Sequence, residues 1–313
     1  MHNNINIIIC VPTYKRPVYL KKCLNSLIIQ EFEGDYKIAV IDNDVAKSAY
    51  STVQKFKNLD LEVSYHSESK RGIAAVRNTC IKVCIDANAT HLVFIDDDEF
   101  AEKNWLENIL NTLIKYQAKV VAGPVLCNFE VKPPRYIEEV FFKRKSFKTG
   151  YRLKNCATGN VILDMEIFKY FDGPPFNESF GLMGGSDSDF FKRLKKENVD
   201  FIWSSEAVAH ENISNNRSRL KSCLIRAFNS GNSSFHLHRF QKTNFVIIFA
   251  KVLNEGLKIF LITLYLCVFS IFIFNDRFKA IYIKKLSRLL KKYGFIAAFL
   301  KYKNNQYNIT YGK

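Results

Sequence analysis

A chain of 313 residues that is 48% hydrophobic and carries 27 Phe has enough apolar surface for one large or two modest domains, which excludes a disordered chain. Its formal net charge of +16 is concentrated: from Ile213 onward 18 Lys/Arg face only Glu255 and Asp276, while the residues before it hold 28 charges of each sign. The eight cysteines are scattered with no C-x-x-C pair and read as reduced core thiols of a cytosolic compartment, not as a zinc or disulfide framework.

Met1 to Asn6 lacks a basic segment leading into an apolar core, so no secretory signal is expected. Ile5 to Val11, apolar except for Asn6, predicts a first buried strand. Pro12-Thr13-Tyr14-Lys15-Arg16-Pro17 breaks it, and Leu20, Cys23, Leu24, Leu27 and Ile28 then repeat at helical spacing. A second strand is predicted over Lys37 to Ile41, ending in Asp42-Asn43-Asp44, and a weaker third over Leu61 to Tyr65. Lys70-Arg71-Gly72 leads into a helix over Ile73 to Ala87. The next strand, His91 to Ile95, ends in Asp96-Asp97-Asp98-Glu99. Strands alternating with helices through short connections predict an α/β fold, a parallel sheet wound right-handedly with helices on both faces.

Four carboxylates at one strand end repel one another and raise each other's pKa unless a cation or donor compensates. Two readings fit them locally: a Mg²⁺ or Mn²⁺ site using Asp96 and Asp98 with phosphate oxygens from a substrate, or an acidic turn capping the next helix. Three strand ends present Thr13, Asp42 with Asp44, and Asp96 with Asp98 on one rim, where open α/β sheets bind ligands. A hydroxyl and a carboxylate there can bond a base or ribose while the third strand end takes metal and diphosphate. Thr13 as a turn residue, and Asp42 or Asp44 as a helix cap, are the structural alternatives.

Residues 126 to 157 show little periodicity and many Lys, Arg and aromatic residues. Asp187 opens an apolar-periodic stretch, Phe190, Phe191 and Leu194, which puts it in the first turn of a helix, where the ionised form is favoured. Phe201 to Trp203 fits another strand. Beyond it stand Glu206, His210, Glu211, Arg217 and Arg226, with Arg217 either reaching phosphates as a fork-shaped donor or serving as a surface charge.

Val-Pro12-Thr13-Tyr14-Lys-Arg16-Pro17, Val40-Ile-Asp42-Asn43-Asp44, Lys70-Arg71-Gly72-Ile-Ala-Ala-Val-Arg77-Asn78 and Asp96-Asp97-Asp98 together resemble the ordered signature of family 2 glycosyltransferases with the GT-A fold. Ala157-Thr158-Gly159-Asn160 and Gly184-Gly185-Ser186-Asp187-Ser188-Asp189 resemble that family's acceptor-side motifs, so the likeness covers residues 5 to about 235. The resemblance implies a Rossmann-like, mostly parallel sheet and a nucleotide-sugar donor held by Thr13, Arg16, Asp42, Asp44, Arg71, Arg77 and Asp96. It implies Mg²⁺ or Mn²⁺ on Asp96 and Asp98, with His210 as a further ligand or a structural residue. It also implies inversion, with Asp187 as general base and Asp189 as the alternative. The family usually has Glu-Asp where this chain has Ser186-Asp187.

The C-terminal third reads differently. Ile259 to Phe274 is 16 residues without a charge, short of the roughly 20 that a span requires. Extending it back to Phe245 takes in Lys251, Glu255 and Lys258, which are costly at mid-membrane. A monotopic or shallow re-entrant helix is expected. Phe278, Ile281, Tyr282, Leu289, Tyr293 and Ile296 then alternate with Lys284, Lys285, Arg288, Lys291 and Lys292, the pattern of a basic amphipathic helix on an anionic membrane surface or of a core-packed hairpin with a solvated basic face.

The resulting expectation is a catalytic domain over 1–235, with a nucleotide-sugar half at 1–125 and an acceptor half at 126–235, followed by a helical membrane-associating region at 236–313. The function expected is transfer of a sugar, UDP-linked, to a glycan or lipid-linked acceptor in cell-surface polysaccharide synthesis, on the cytoplasmic face of the inner membrane. The alternative from another class is a non-catalytic protein binding nucleic acid through its basic third. Because that charge flanks a long apolar run, a membrane is the expected partner and nucleic acid is not.

Overall fold

The computed structural model describes residues 5–241, 243–272 and 276–302. The first half runs β1 (Ile7–Thr13), α1 (Pro17–Leu27), β2 (Tyr36–Asp42), α2 (Tyr50–Gln54), β3 (Val63–Ser67), α3 (Ile73–Asp86), β4 (His91–Phe94), β5 (Glu99–Ala101), α4 (Trp105–Lys115), β6 (Val120–Ala122) and β7 (Val125–Phe129). After a short helical turn α5 (Arg135–Ile137) come β8 (Arg152–Leu153), β9 (Val161–Asp164), α6 (Ser186–Lys196), β10 (Phe201–Trp203), β11 (Ala209–Ile213), α7 (Asn215–Ser218), α8 (Leu220–Phe240), α9 (Phe245–Phe269) and α10 (Asp276–Phe299).

Eight strands form one sheet in the order β3-β2-β1-β4-β9-β6-β10-β8, and β5-β11-β7 form a second. The strands β3, β2, β1 and β4 are mutually parallel, with Thr13 level with Asp42. β9 is antiparallel to both β4 and β6, a departure from the expected parallel winding that the sequence did not signal, since a fully buried apolar run such as Val161–Leu163 carries no cue to strand direction. Along β1 alternate side chains enter opposite layers. Ile7, Ile9 and Val11 pack with Leu20, Leu24 and Leu27 of α1 and Trp105 of α4, while Ile8 and Cys10 pack with Ala74, Cys80 and Cys84 of α3. Both faces are covered, and the strand ends are free to carry polar chemistry.

The helix α8 runs without a break across residue 235 and packs tightly on α10. A Cβ on Gly294 would stand 2.0 Å from the Phe228 carbonyl oxygen, and one on Gly231 would stand 1.8 Å from that of Lys291, so backbone meets backbone there. Gly294→Val is therefore expected to destabilise the protein by about 3 kcal/mol, the upper end of overpacking costs, measured as a lower urea midpoint. An unchanged midpoint would contradict this close approach.

In α10 the buried stripe is Ile283, Leu289, Phe295 and Ala298, whereas Phe278, Ile281 and Tyr293 of the expected apolar face are exposed. The helix is thus core-packed on one side; of the expected face Leu289 is buried and Tyr282 and Ile296 are half-buried, so the buried stripe overlaps the expected one only in part, because two apolar stripes compete on the helix. The exposed apolar surface belongs to α9, where Leu253, Leu257, Phe260, Leu261, Leu264 and Val268 are each more than half exposed. Glu255 of that helix pairs with Lys258 at 3.2 Å and with Lys292. Among the described residues no helix is long and apolar enough to cross a membrane. Residues 273–275 of the expected apolar segment and 303–313 of the expected C-terminal region lie outside the described residues.

Candidate active site

The C-terminal ends of β1 and β4 open into a pocket of about 280 Å³. Its polar lining includes Thr13, Arg16, Asn43, Arg71, Arg77, Asp96, Asp97 and Asp98, with Glu211, Arg217 and Arg226 closing it from β11, α7 and α8. Thr13 donates its hydroxyl to Asp97 Oδ2 at 2.7 Å. Arg16, just before α1, bridges Asp97 Oδ1 and Asp98 Oδ2 at 3.1 Å each. Arg217 reaches the same Asp98 oxygen at 2.9 Å and also holds Glu211, whose other oxygen takes Arg144 at 2.7 Å. Arg226 donates to the Arg217 carbonyl at 3.0 Å and so positions the backbone of its neighbour. Arg71 lies 3.8 Å above the Tyr14 ring. Arg77 is buried in the wall with its Nε unbonded among the described residues.

The acids are held close under strong desolvation. Burial pushes Asp96 up to about 6, against the opposing charge of Arg77 and with that of Asp98 adding to the rise. Burial likewise pushes Asp97 up to about 7, Arg16 opposing. Glu99, buried with Oε2 accepting the Asp96 N–H at 3.3 Å, is pushed well above the carboxylate range. The Asp96 carboxylate lines the pocket and has no hydrogen-bond or ion-pair partner among the described residues. A carboxylate in that condition fits a cation. No three His, Cys, Asp or Glu side chains form a closed metal cage among the described residues. Mg²⁺ and Mn²⁺ need none when one or two carboxylates are joined by phosphate oxygens, so Asp96 and Asp98 suit such an ion.

Of the residues singled out in the sequence, Thr13, Arg16, Arg71, Arg77, Asp96 and Asp98 come together here. Asp42 and Asp44 stand just behind. The Asp42 carboxylate accepts the N–H groups of Asp44 at 3.0 Å and Ala49 at 2.9 Å and the Tyr65 hydroxyl at 3.2 Å, and burial raises its pKa. Asp44 accepts the Ala46 N–H at 3.2 Å and lies 3.9 Å from Lys15. Both carboxylates organise the loop after β2, and Asn43 between them faces the pocket. Its amide donates to the carbonyls of Glu68 and Lys70 at 2.8 Å and accepts from Gly72 at 2.9 Å, tying the loop before α3 to the rim.

The structure does not bring His210 to the acids. Strand alternation turns it opposite to Glu211, its Nε2 lies 3.0 Å from Glu102 Oε1, and its ring stacks on Phe100 at 5.0 Å. Asp187 is half-buried in the first turn of α6 and accepts the Ser188 N–H at 2.7 Å, outside the lining of the arginine pocket. Gly184 and Gly185 before it have φ of +79° and +101°, a turn that side chains resist and that swings the helix start into place. Asp189, the alternative base, is committed to Arg193 at 2.9 Å and to Gln241 at 3.3 Å. The Ser186 hydroxyl is buried without a partner among the described residues.

The roles of Asp97, Asn43 and the Glu211–Arg144 pair were missed in the sequence. Asp97 follows a strand end and gives no hint that it turns inward to Thr13; the signal available was only its place in an acidic run. In Ala157-Thr158-Gly159-Asn160, Asn160 donates to the carbonyls of Pro124 and Ala207 at 2.8 Å and accepts the Trp105 indole N–H at 2.7 Å. That anchor brings Gly159 so near that a Cβ on it would stand 2.9 Å from Glu99 Oε1.

A family model described as glycosyl transferase family 2 matches residues 8–171. Among curated proteins, the chain is 29% identical to the succinoglycan biosynthesis protein ExoM of Rhizobium meliloti (strain 1021) over 240 residues, 74% of each. It is 26% identical to glycosyltransferase GlyA of Streptococcus pneumoniae serotype 4 over 164 residues, 50% of this chain but only 23% of that relative's length. Among solved structures, it is similar to mannosyltransferase PcManGT from Pyrobaculum calidifontis, in complex with GDP-Man and Mn²⁺, with a TM-score of 0.62 at 12% identity over 93% of this chain and 86% of that one. S. aureus TarS 1-349 in complex with UDP-GlcNAc gives a TM-score of 0.52 at 14% identity over 99% and 95%. These likenesses show an α/β, GT-A-like arrangement with a mostly parallel sheet flanked by helices.

Proposed function

This chain belongs to glycosyl transferase family 2, and from that premise we propose that it transfers a sugar from a nucleoside diphosphate, UDP, to a glycan or lipid-linked acceptor with inversion, in cell-surface polysaccharide synthesis. The carrying observation is the pocket at the ends of β1 and β4, where Arg16, Arg71, Arg77, Arg217 and Arg226 surround the Asp96 and Asp98 carboxylates. Guanidinium forks match diphosphate oxygens. UDP is supported by the UDP-GlcNAc complex of TarS, and polysaccharide synthesis by the name of ExoM.

In this reading Asp96 and Asp98 hold a divalent cation, which when bound supplies charge to the leaving diphosphate without proton transfer. Arg71 and Arg77 orient the diphosphate from the α3 side, and Arg16 and Arg217 hold Asp98 in place. Asp187 takes the proton of the acceptor hydroxyl as the acceptor oxygen bonds to the anomeric carbon. The bond from that carbon to the diphosphate oxygen breaks, and its electron pair leaves with the UDP. Incubation with a panel of nucleotide sugars and Mn²⁺ tests this; UDP release from at least one, with the product inverted at the anomeric carbon, is the expected result, and a retained configuration would sink the single displacement.

The pH dependence follows from Asp96. Protons compete with the cation for the ionised carboxylate, so with its pKa raised to about 6 the Mn²⁺ affinity is expected to be flat above that value and to fall as pH drops through it, approaching tenfold per unit. Calorimetric titration between pH 5 and 8 in the presence of UDP reads this, and constant affinity down to pH 5 would remove Asp96 from the site.

Association of α9 with an anionic membrane surface, on the cytoplasmic face of the inner membrane, is part of the same proposal. Its exposed apolar residues and the exposed Lys284, Arg288 and Lys291 of α10 support it. Phe260→Glu with Leu264→Glu alters two exposed side chains, each worth about 1.5–3 kcal/mol when buried, and is expected to cut vesicle partitioning by about a hundredfold while leaving the melting temperature in place. Equal partitioning would place the contact elsewhere.

A further inference from the structure

A second cavity, of about 440 Å³, lies beside α6 and the segment 154–156. Lys154, Lys192, Lys195 and Lys196 line it, and no acidic side chain does. Lys195 pairs with Asp200 at 3.1 Å, a carboxylate that also takes Arg152 at 2.8 Å. The ammonium groups of Lys154, Lys192 and Lys196 make no hydrogen bond or ion pair among the described residues. Of the two acids on the same helix, Asp189 is already held by Arg193 and Gln241, and Asp187 accepts the Ser188 N–H and pairs with none of these lysines among the described residues. Burial lowers the Lys192 pKa, and the charges of Lys251 and Lys196 lower it further while that of Asp189 opposes. Three cations thus line one cavity that has no acidic side chain in its lining, Lys192 partly buried and Lys154 and Lys196 exposed at its rim, an arrangement that attracts a multivalent anion.

Its position relates it to the acceptor side. Ser188, next to Asp187, lines the cavity, and so does Cys156, whose thiol is pushed up to about 12 by burial, with the Asp187 charge contributing. Phe191 and Leu237 supply apolar wall, and the Leu237 end of α8 leads directly to the exposed apolar helix α9.

We infer that this lysine cavity binds a phosphate group carried by the acceptor, holding it beside Asp187 while the arginine pocket holds the donor. Resting on the transferase reading above, this narrows the acceptor to a phosphate-bearing one. A phosphate ester carries about two negative charges at neutral pH, and lysines bind it as point charges. The phosphate can belong to a lipid carrier or to a phosphorylated water-soluble glycan, and the two differ in whether the apolar wall contributes.

The test uses the full chain with saturating UDP, so that the arginine pocket is filled, and titrates in farnesyl phosphate or inorganic phosphate. Lys154→Gln, Lys192→Gln and Lys196→Gln combined is expected to weaken binding of both probes at least about tenfold and flatten its salt dependence, with the three Arg substitutions restoring it. Tighter binding of farnesyl phosphate than of inorganic phosphate assigns the lipid source, and equal binding assigns the glycan source. Unchanged affinity in the triple Gln variant, or probe binding seen only when UDP is left out, overturns the inference. UDP–Mn²⁺ binding and donor turnover on the same preparations keep the two readings apart: their loss in the unmodified protein removes the transferase reading, whereas lysine-independent phosphate binding with donor turnover intact removes only this one.

Discussion

Asp98→Ala is expected to lower sugar transfer by about three orders of magnitude, equivalent to about 4 kcal/mol of lost transition-state stabilisation at the leaving diphosphate. The substitution removes one of the two carboxylates suited to the cation and also the oxygen shared by Arg16 and Arg217. The fold should survive, because Arg16 keeps Asp97 and Arg217 keeps Glu211. Mn²⁺ binding followed by calorimetry should weaken in parallel with activity, and excess EDTA should reproduce the loss in the unmodified protein. If Asp98→Ala still binds Mn²⁺ with UDP as tightly as before, or if activity persists in EDTA, the metal assignment to this rim fails.

Asp187→Asn is expected to cost about 10³-fold in kcat, in the range typical of a general base, with UDP binding unaltered. The amide oxygen can still accept the Ser188 N–H that the carboxylate now accepts at 2.7 Å, so the helix start is preserved while basicity is lost. Asp189→Asn is the contrasting case. It weakens the pair with Arg193 inside α6 and should lower the melting temperature without changing the pH profile of transfer. Near-normal turnover in Asp187→Asn, or a loss of UDP affinity that accounts for the whole effect, would falsify its role as base.

The strand ends were legible because their chemistry is local. An apolar run of five to seven residues closed by Pro12-Thr13 or by Asp96-Asp97-Asp98 specifies a buried strand and a polar terminus, and parallel winding then brings the ends of β1, β2 and β4 to one rim. Which carboxylate is left without a partner was not legible in the residue types. Asp42 is taken up by N–H groups of its own loop, Asp97 by Thr13 and Arg16 and one oxygen of Asp98 by Arg16 and Arg217, whereas the Asp96 carboxylate has no such partner among the described residues. A side chain's direction at a strand end depends on loop dihedrals and on partners many residues away, and no local pattern encodes either. The same limit applies to His210, turned to Glu102 and Phe100 by the register of β11 on β5.

The sequence by itself therefore determined the class of fold, the order of the motifs along the sheet edge and the concentration of cationic and apolar residues in the last third, all of them consequences of periodicity and composition. Only the tertiary structure decided that Arg217 and Arg226, more than a hundred residues beyond Asp98, close the same pocket, since side chains that distant meet only through packing. Packing also decided that α10 is pinned to α8 at Gly231 and Gly294 and that α9 carries the exposed apolar surface. The physical reason is common to both: periodicity says that a helix has an apolar stripe, and only the close approach of another backbone determines which stripe is buried.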